Sequence, residues 1–214
     1  MRMRHFIRAL LLATSISTLA FAVQADMAGA ETFCKAEHGK IKQLVDNNAP
    51  DTQVRAAIDG MVNYDELARR TMGKPCPASI PNCTNHWDTL NGAQQKEVTG
   101  LLQKLVEKNY HKNLNKTRDY EVSYRPSKEA GENITKVRTE AKSKAPEKNR
   151  EPTVQVDYVI MGNGSTYRVI DIVTEGSSMT KNYYDQFHRM LTTADQGYPY
   201  LVQKLKDKIA KNNP

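Results

Sequence analysis

The chain lacks most of the residue clusters that chemistry requires. Its five histidines, His5, His38, His86, His111 and His188, stand at no metal-ligand spacing. No Walker-type phosphate loop, dinucleotide fingerprint or nucleophile elbow occurs. The three cysteines include no C-x-x-C pair, which argues against thiol–disulfide exchange. Aromatic residues make up only 7% of the chain, and no basic stripe with interleaved aromatics is present, so nucleic acid is not an expected partner. Beyond residue 25 no apolar run is long enough to cross a bilayer.

What is present begins with an address. Arg2, Arg4, His5 and Arg8 precede an uncharged apolar run from Ala9 to Val23. Ala20-Phe21-Ala22 and Val23-Gln24-Ala25 both fit the small-residue cleavage rule. Residues 1–25 are therefore expected to be a secretory signal peptide, cleaved after Ala22 or Ala25, with 26–214 forming a single domain. An uncleaved anchor is the other reading, but the run is short for a span. Losing Arg2, Arg4 and Arg8 lowers the formal charge from +7 to +4, which is ordinary solubility charge.

In an exported chain three cysteines allow one disulfide. Cys76 and Cys83 are the expected pair, closing the short loop between Pro75 and Asn85, and Cys34 is left as a buried thiol on the first helix.

Apolar spacing predicts helices over Glu31–Asn48, after an Asp51 N-cap, and over Tyr64–Met72, the last begun by an Asn63 capping box and stopped by Gly73. A long helix follows over Thr89–Leu114. Alternating patterns then predict strands at Asp119–Arg125 and Ile134–Lys144, with a polar loop over 145–152. The second strand turns Lys136, Arg138, Glu140 and Lys142 to a solvated face. Two helices close the chain, Met179–Leu191 and one after Gly197. Helices, four strands, then helices imply an α+β fold: a curled, mostly antiparallel four-stranded sheet with helices on its concave side.

The organising stretch is Thr153–Leu191, a hairpin that feeds a helix. Asn163-Gly164 suggests a two-residue primed turn. That turn pairs Ile160 with Tyr167, Tyr158 with Val169, and Val156 with Asp171, and it puts Val173 on the same apolar face. Asp171 then has two readings. A carboxylate in an apolar cavity has a raised pKa and can serve as a general acid or base, as in cone-shaped α+β enzymes. Alternatively it accepts backbone amides near Ser177 and Ser178 and fixes the sheet–helix corner, which is the preferred reading. Tyr120, Tyr124, Tyr158, Tyr167, Tyr183, Phe187, Met179 and Met190 lie on elements expected to converge, as plain core or as the wall of an apolar cavity.

Two stretches resemble one family. Y-R-V-I-D-I-V-T-E-G-S-S-M-T-K-N-Y-Y-D-Q-F, from Tyr167 to Phe187, resembles the signature of the MlaC (toluene-tolerance) family of periplasmic phospholipid carriers. There an aromatic opens the strand, V-x-D-V-x-x-E-G-x-S-L follows, and N-Y-R-x-Q-F ends it. Y-D-E-L-A-R-R-T-M-G, from Tyr64 to Gly73, resembles the family helix F-D-x-x-x-x-A-R-x-x-L-G. The family's G-x-H-W piece is similar to Gly73-Lys74 and His86-Trp87, split here by an insertion from Pro75 to Asn85. Tyr184 stands where the family has Arg, and Tyr167 where it has Trp.

The resemblance implies a periplasmic, non-enzymatic phospholipid carrier that helps maintain outer-membrane lipid asymmetry, without cofactor or metal. It implies exchange with an inner-membrane ABC lipid transporter and its substrate-binding subunit, and with an outer-membrane lipoprotein complex. It implies an acyl-chain cavity with Tyr158, Ile160, Tyr167, Val169 and Val173 on the sheet side, Met179, Tyr183 and Phe187 on the helix side, and Met61, Leu67 and Met72 as a further wall. A hopanoid or other lipid as cargo, an enzyme using Asp171, and a cavity-free adaptor are the alternatives.

Overall fold

The computed structural model describes residues 26–144 and 153–211; the segment read as a signal peptide and the loop expected over 145–152 lie outside them. The elements run α1 (Met27–Asp46), α2 (Asp51–Met61), α3 (Tyr64–Thr71), α4 (Gly92–Thr117), β1 (Tyr120–Gly131), β2 (Ile134–Ser143), β3 (Thr153–Met161), β4 (Arg168–Thr174), β5 (Ser177–Ser178), α5 (Met179–Thr192) and α6 (Tyr198–Lys211). This is the expected α+β order, with one strand more than the four expected. The extra strand is the two-residue β5, which pairs with Val173 and Thr174 before α5 starts.

Each helix follows from its apolar spacing and its cap. Asp26 accepts from the Gly29 amide at 2.9 Å and starts α1, whose Ala30, Cys34, Ile41 and Val45 are buried. In α2 the buried positions are Val54, Ala57, Ile58 and Met61, one stripe at helical spacing. Pro50 takes the N-cap position there, and Asp51 lies inside the first turn. Asn63 caps α3 by accepting from the Glu66 amide at 3.0 Å. The reciprocal half of the expected capping box is not made. The Asn63 amide instead donates to the Val169 carbonyl at 2.9 Å, tying α3 to the sheet, and Glu66 turns to Arg69 and Arg70 at 3.1 and 2.8 Å. Gly73 ends that segment at φ +80°, and a Cβ there would lie 2.4 Å from the Thr84 carbonyl oxygen.

The sheet is an antiparallel meander in the order β1-β2-β3-β4-β5. The β3–β4 register differs from the one expected. Asn163-Gly164 does not form a two-residue turn. Residues Gly164–Thr166 make a 3-10 turn, in which the Thr166 hydroxyl accepts from the Asn163 amide at 3.0 Å and donates to its carbonyl at 2.7 Å. The connection therefore takes more residues, and Met161 pairs with Arg168. A bulge then shifts the register between Val159 and Ile160. Ile160 opposes Val169, Val159 opposes Asp171, Tyr158 opposes Ile172 and Asp157 opposes Val173. One inserted residue moves every later side chain of β4 to the other face. Asp171 and Val173 thus leave the inner face, and Ile172 joins it.

Apolar side chains gather in two main clusters. One packs the inner sheet face, with Val137, Ile160, Tyr167 and Val169, against α1 and α2. The other is helical, with Leu67 and Met72 of the α3 segment, Val98 to Leu105 of α4, Tyr183 and Phe187 of α5, and Leu201 to Leu205 of α6. Val62 touches both. A third, small cluster of Val159, Ile170 and Val173 lies on the outer face. Among the described residues no helix is long and apolar enough to cross a membrane.

Candidate functional site

The helices cover the inner sheet face at one end and leave it open at the other. Ile160 and Val169 are buried, whereas Ala141, Val154, Val156, Tyr158 and Ile172 are only half-buried and Thr174 is exposed. Two clefts open there. The first, about 590 Å³, lies between α1 and the sheet, with His38, Gly39 and Ile41 on one wall and Tyr120, Val122, Tyr124 and Tyr158 on the other. Lys35, Lys42, Glu121 and Lys144 complete it. The second, about 390 Å³, lies between β4, α5 and α6 and is lined by Ile172, Thr174, Ser177, Met179, Asn182, Tyr183, Gln186 and Lys208. Tyr158 of the first cleft and Ile172 of the second are cross-strand partners, so the two clefts abut on one sheet face. Both volumes fall within the ordinary range of small-molecule sites.

The floor of the first cleft is polar but uncharged. His38 Nδ1 lies 2.8 Å from the Tyr124 hydroxyl, and its ring meets Tyr158 edge-on at 4.5 Å. Cys34 Sγ lies 3.8 Å from His38 Nε2. Burial pushes the His38 imidazole down to about 4 and the Cys34 thiol up to about 12, and it raises the Tyr124 phenol. At neutral pH all three are neutral, so an apolar guest meets no buried charge. A thiol held protonated is no nucleophile.

Asp171 takes the corner role. Its Oδ1 accepts from the Ile172 and Thr180 amides at 2.8 and 2.9 Å, and its Oδ2 from the Ser178 hydroxyl at 2.6 Å. Ser178 in turn caps α5 by accepting from the Lys181 amide at 3.1 Å. The carboxylate is thus spent on the sheet–helix corner, opposite Val159 and not beside Val156 as expected.

The residues expected to line a cavity are distributed unevenly. Tyr158 lines the first cleft, and Met179 and Tyr183 line the second. Ile160, Tyr167, Val169 and Met61 lie in the sealed cluster under α1 and α2. Leu67, Met72 and Phe187 belong to the helical cluster. Val173 is on the outer face with Val159 and Ile170, because the bulge put it there. Sequence reasoning missed Ile172, for which no signal existed without the bulge. It also missed His38 and Ile41 as lining residues, although their positions on the α1 stripe were legible.

The Pro75–Asn85 insertion is anchored on α5. Cys76 and Cys83 form the expected disulfide. Tyr184, where the family pattern has Arg, is buried and accepts from the Thr84 amide at 2.9 Å. His86 Nε2 lies 2.8 Å from His188 Nδ1 beside it. The departure at Tyr184 and the insertion therefore form one contact.

A helix-backed antiparallel sheet with a hollow on one face, partly apolar and rimmed by charged side chains, defines a class of small α+β domains built around a cavity. Within that class the chain belongs to the MlaC protein family, whose model matches residues 30–207. A solved structure with the same fold is the phospholipid-binding protein from Ralstonia solanacearum, in complex with a phospholipid. It is similar at 20% identity and a TM-score of 0.65, over 88% of this chain and 98% of that one. No curated protein matches the chain.

Proposed function

We propose that this protein is a phospholipid-binding carrier that shuttles lipid through the periplasm between inner and outer membranes and so helps maintain outer-membrane lipid asymmetry. Its exchange partners in this reading are an inner-membrane ABC lipid transporter with its substrate-binding subunit and an outer-membrane lipoprotein complex. The observation that carries the proposal is the open half of the inner sheet face, with two abutting clefts at Tyr158 and Ile172. Membership of the MlaC family and a phospholipid-bound structural neighbour support it.

The physics favours such a cavity. Each acyl CH₂ moved from water to an apolar wall contributes about 0.8 kcal/mol, so a diacyl lipid cannot cross an aqueous gap unaided. Transport of this kind needs no covalent step. The enzyme reading rested on Asp171, whose oxygens are already engaged by the Ile172 and Thr180 amides and the Ser178 hydroxyl.

Native mass spectrometry of the mature chain purified from a bacterial periplasm, with lipid extraction, tests the proposal. A population heavier by one phospholipid is expected. A hopanoid or other cargo declares itself by its mass. A persistently bare protein that takes nothing from liposomes contradicts the carrier reading.

A further inference from the structure

We infer that Lys208 is the seat of the lipid's phosphate, at the mouth of the second cleft. This deepens the carrier reading and rests on it. The charges at the two clefts are arranged differently. At the first cleft Lys35 is 2.6 Å from Glu31, Lys42 is paired with Asp46, and Lys144 donates to the Arg118 carbonyl at 2.9 Å. Glu121 adds a negative charge to the same lining. Lys35 and Lys42 are thus already paired with carboxylates, and Lys144 is tied to a backbone carbonyl.

Lys208 is the one charged residue among those lining the second cleft. Among the described residues it makes no ion pair, while its neighbour on α6, Lys206, lies 3.2 Å from Glu97. The Lys208 ammonium is held 4.9 Å from the Tyr183 ring centroid. The ring's negative face fixes its position without neutralising it. Ser177, Asn182 and Gln186 supply hydrogen-bonding groups in the same lining, over an apolar floor of Ile172, Met179 and Tyr183. A lone cation with neutral polar groups above an apolar floor complements an anionic head on apolar chains. The lipid is thereby oriented, with its phosphate at Lys208 and its chains running toward the Tyr158–Ile172 pair.

The test compares two probes that share their acyl chains, dioleoylphosphatidylglycerol and dioleoylglycerol, each offered in vesicles of a neutral lipid to the mature protein. Lys208→Met keeps the apolar stem over Tyr183 and removes the charge, and Lys208→Arg restores it. The expected result is about a tenfold loss of phosphatidylglycerol uptake in Lys208→Met, the size of one charge-assisted contact. Dioleoylglycerol uptake stays unchanged, and Lys208→Arg recovers the loss. Equal uptake of phosphatidylglycerol by wild type and Lys208→Met overturns the assignment, as does an equal loss of both probes. A wild-type protein that takes up neither probe removes the carrier reading itself and this assignment with it.

Discussion

The two ends of the inner sheet face are built from the same kinds of residue and meet different fates. At one end Val137, Ile160 and Val169 are at most 2% exposed, pressed against Ala30, Cys34 and Met61 of the first two helices. At the other, Val154, Val156 and Ile172 stay half-buried, and Val122 on the edge strand is 45% exposed. Alternation of apolar residues marks a face that must be covered. It does not say whether helix or guest does the covering. That is decided by how far α1 and α2 reach across the strands, which is a property of packing and not of the strand itself.

The contrast breaks most heavily at the sealed end. Ile160→Ala leaves a cavity under α1 and α2 and should cost about 4 kcal/mol in urea unfolding. Lipid carried per folded molecule should not change. A stable Ile160→Ala protein that has lost its lipid would mean that the two ends are not separate.

His38 sits where the ends join, against Tyr124, Tyr158 and Cys34, with Lys35 above the Tyr124 ring. Its imidazole, pushed by burial to about 4, takes a proton less readily folded than unfolded. As pH falls below about 6.5 the unfolded chain binds the proton first, so stability present above that pH is lost progressively toward pH 4. The loss is about 3 kcal/mol over that window. Burial lowers His86 as well, which adds in the same direction. Thermal melts across this range should therefore show a slope that shrinks, without vanishing, in His38→Gln.

At the open end a larger side chain should fit without strain. Val156→Trp should shift stability by less than about 1 kcal/mol, because its neighbours leave it half-buried. It should also remove most bound lipid by occupying the face where the clefts meet. A large destabilisation with lipid retained would show that this end is packed core.

Much of this was legible in the sequence, for stated reasons. Helical stripes such as Val54, Ala57, Ile58 and Met61, the Cys76–Cys83 staple and the Asp171 corner each depend on local spacing or short loops. The register was not legible. Thr166 captured Asn163 and replaced the expected primed turn, and the bulge at Ile170 exchanged Val173 for Ile172 on the inner face. Two small local preferences, each worth about 1 kcal/mol, thus decided which side of β4 faces the cavity. Met61, Ile160 and Val169 carry the apolar character expected of a cavity wall, but the helices cover them.

The most direct test of the two-ended face places the chains themselves. A phosphatidylglycerol carrying a diazirine along one acyl chain is loaded into the protein, irradiated, and the adducts are mapped by peptide mass spectrometry. The account predicts adducts at Val156, Tyr158, Ile172 and Met179, with Ile160, Tyr167 and Val169 unlabelled. Labelling concentrated on Ile160 and Val169, or spread evenly over the protein surface, would contradict it.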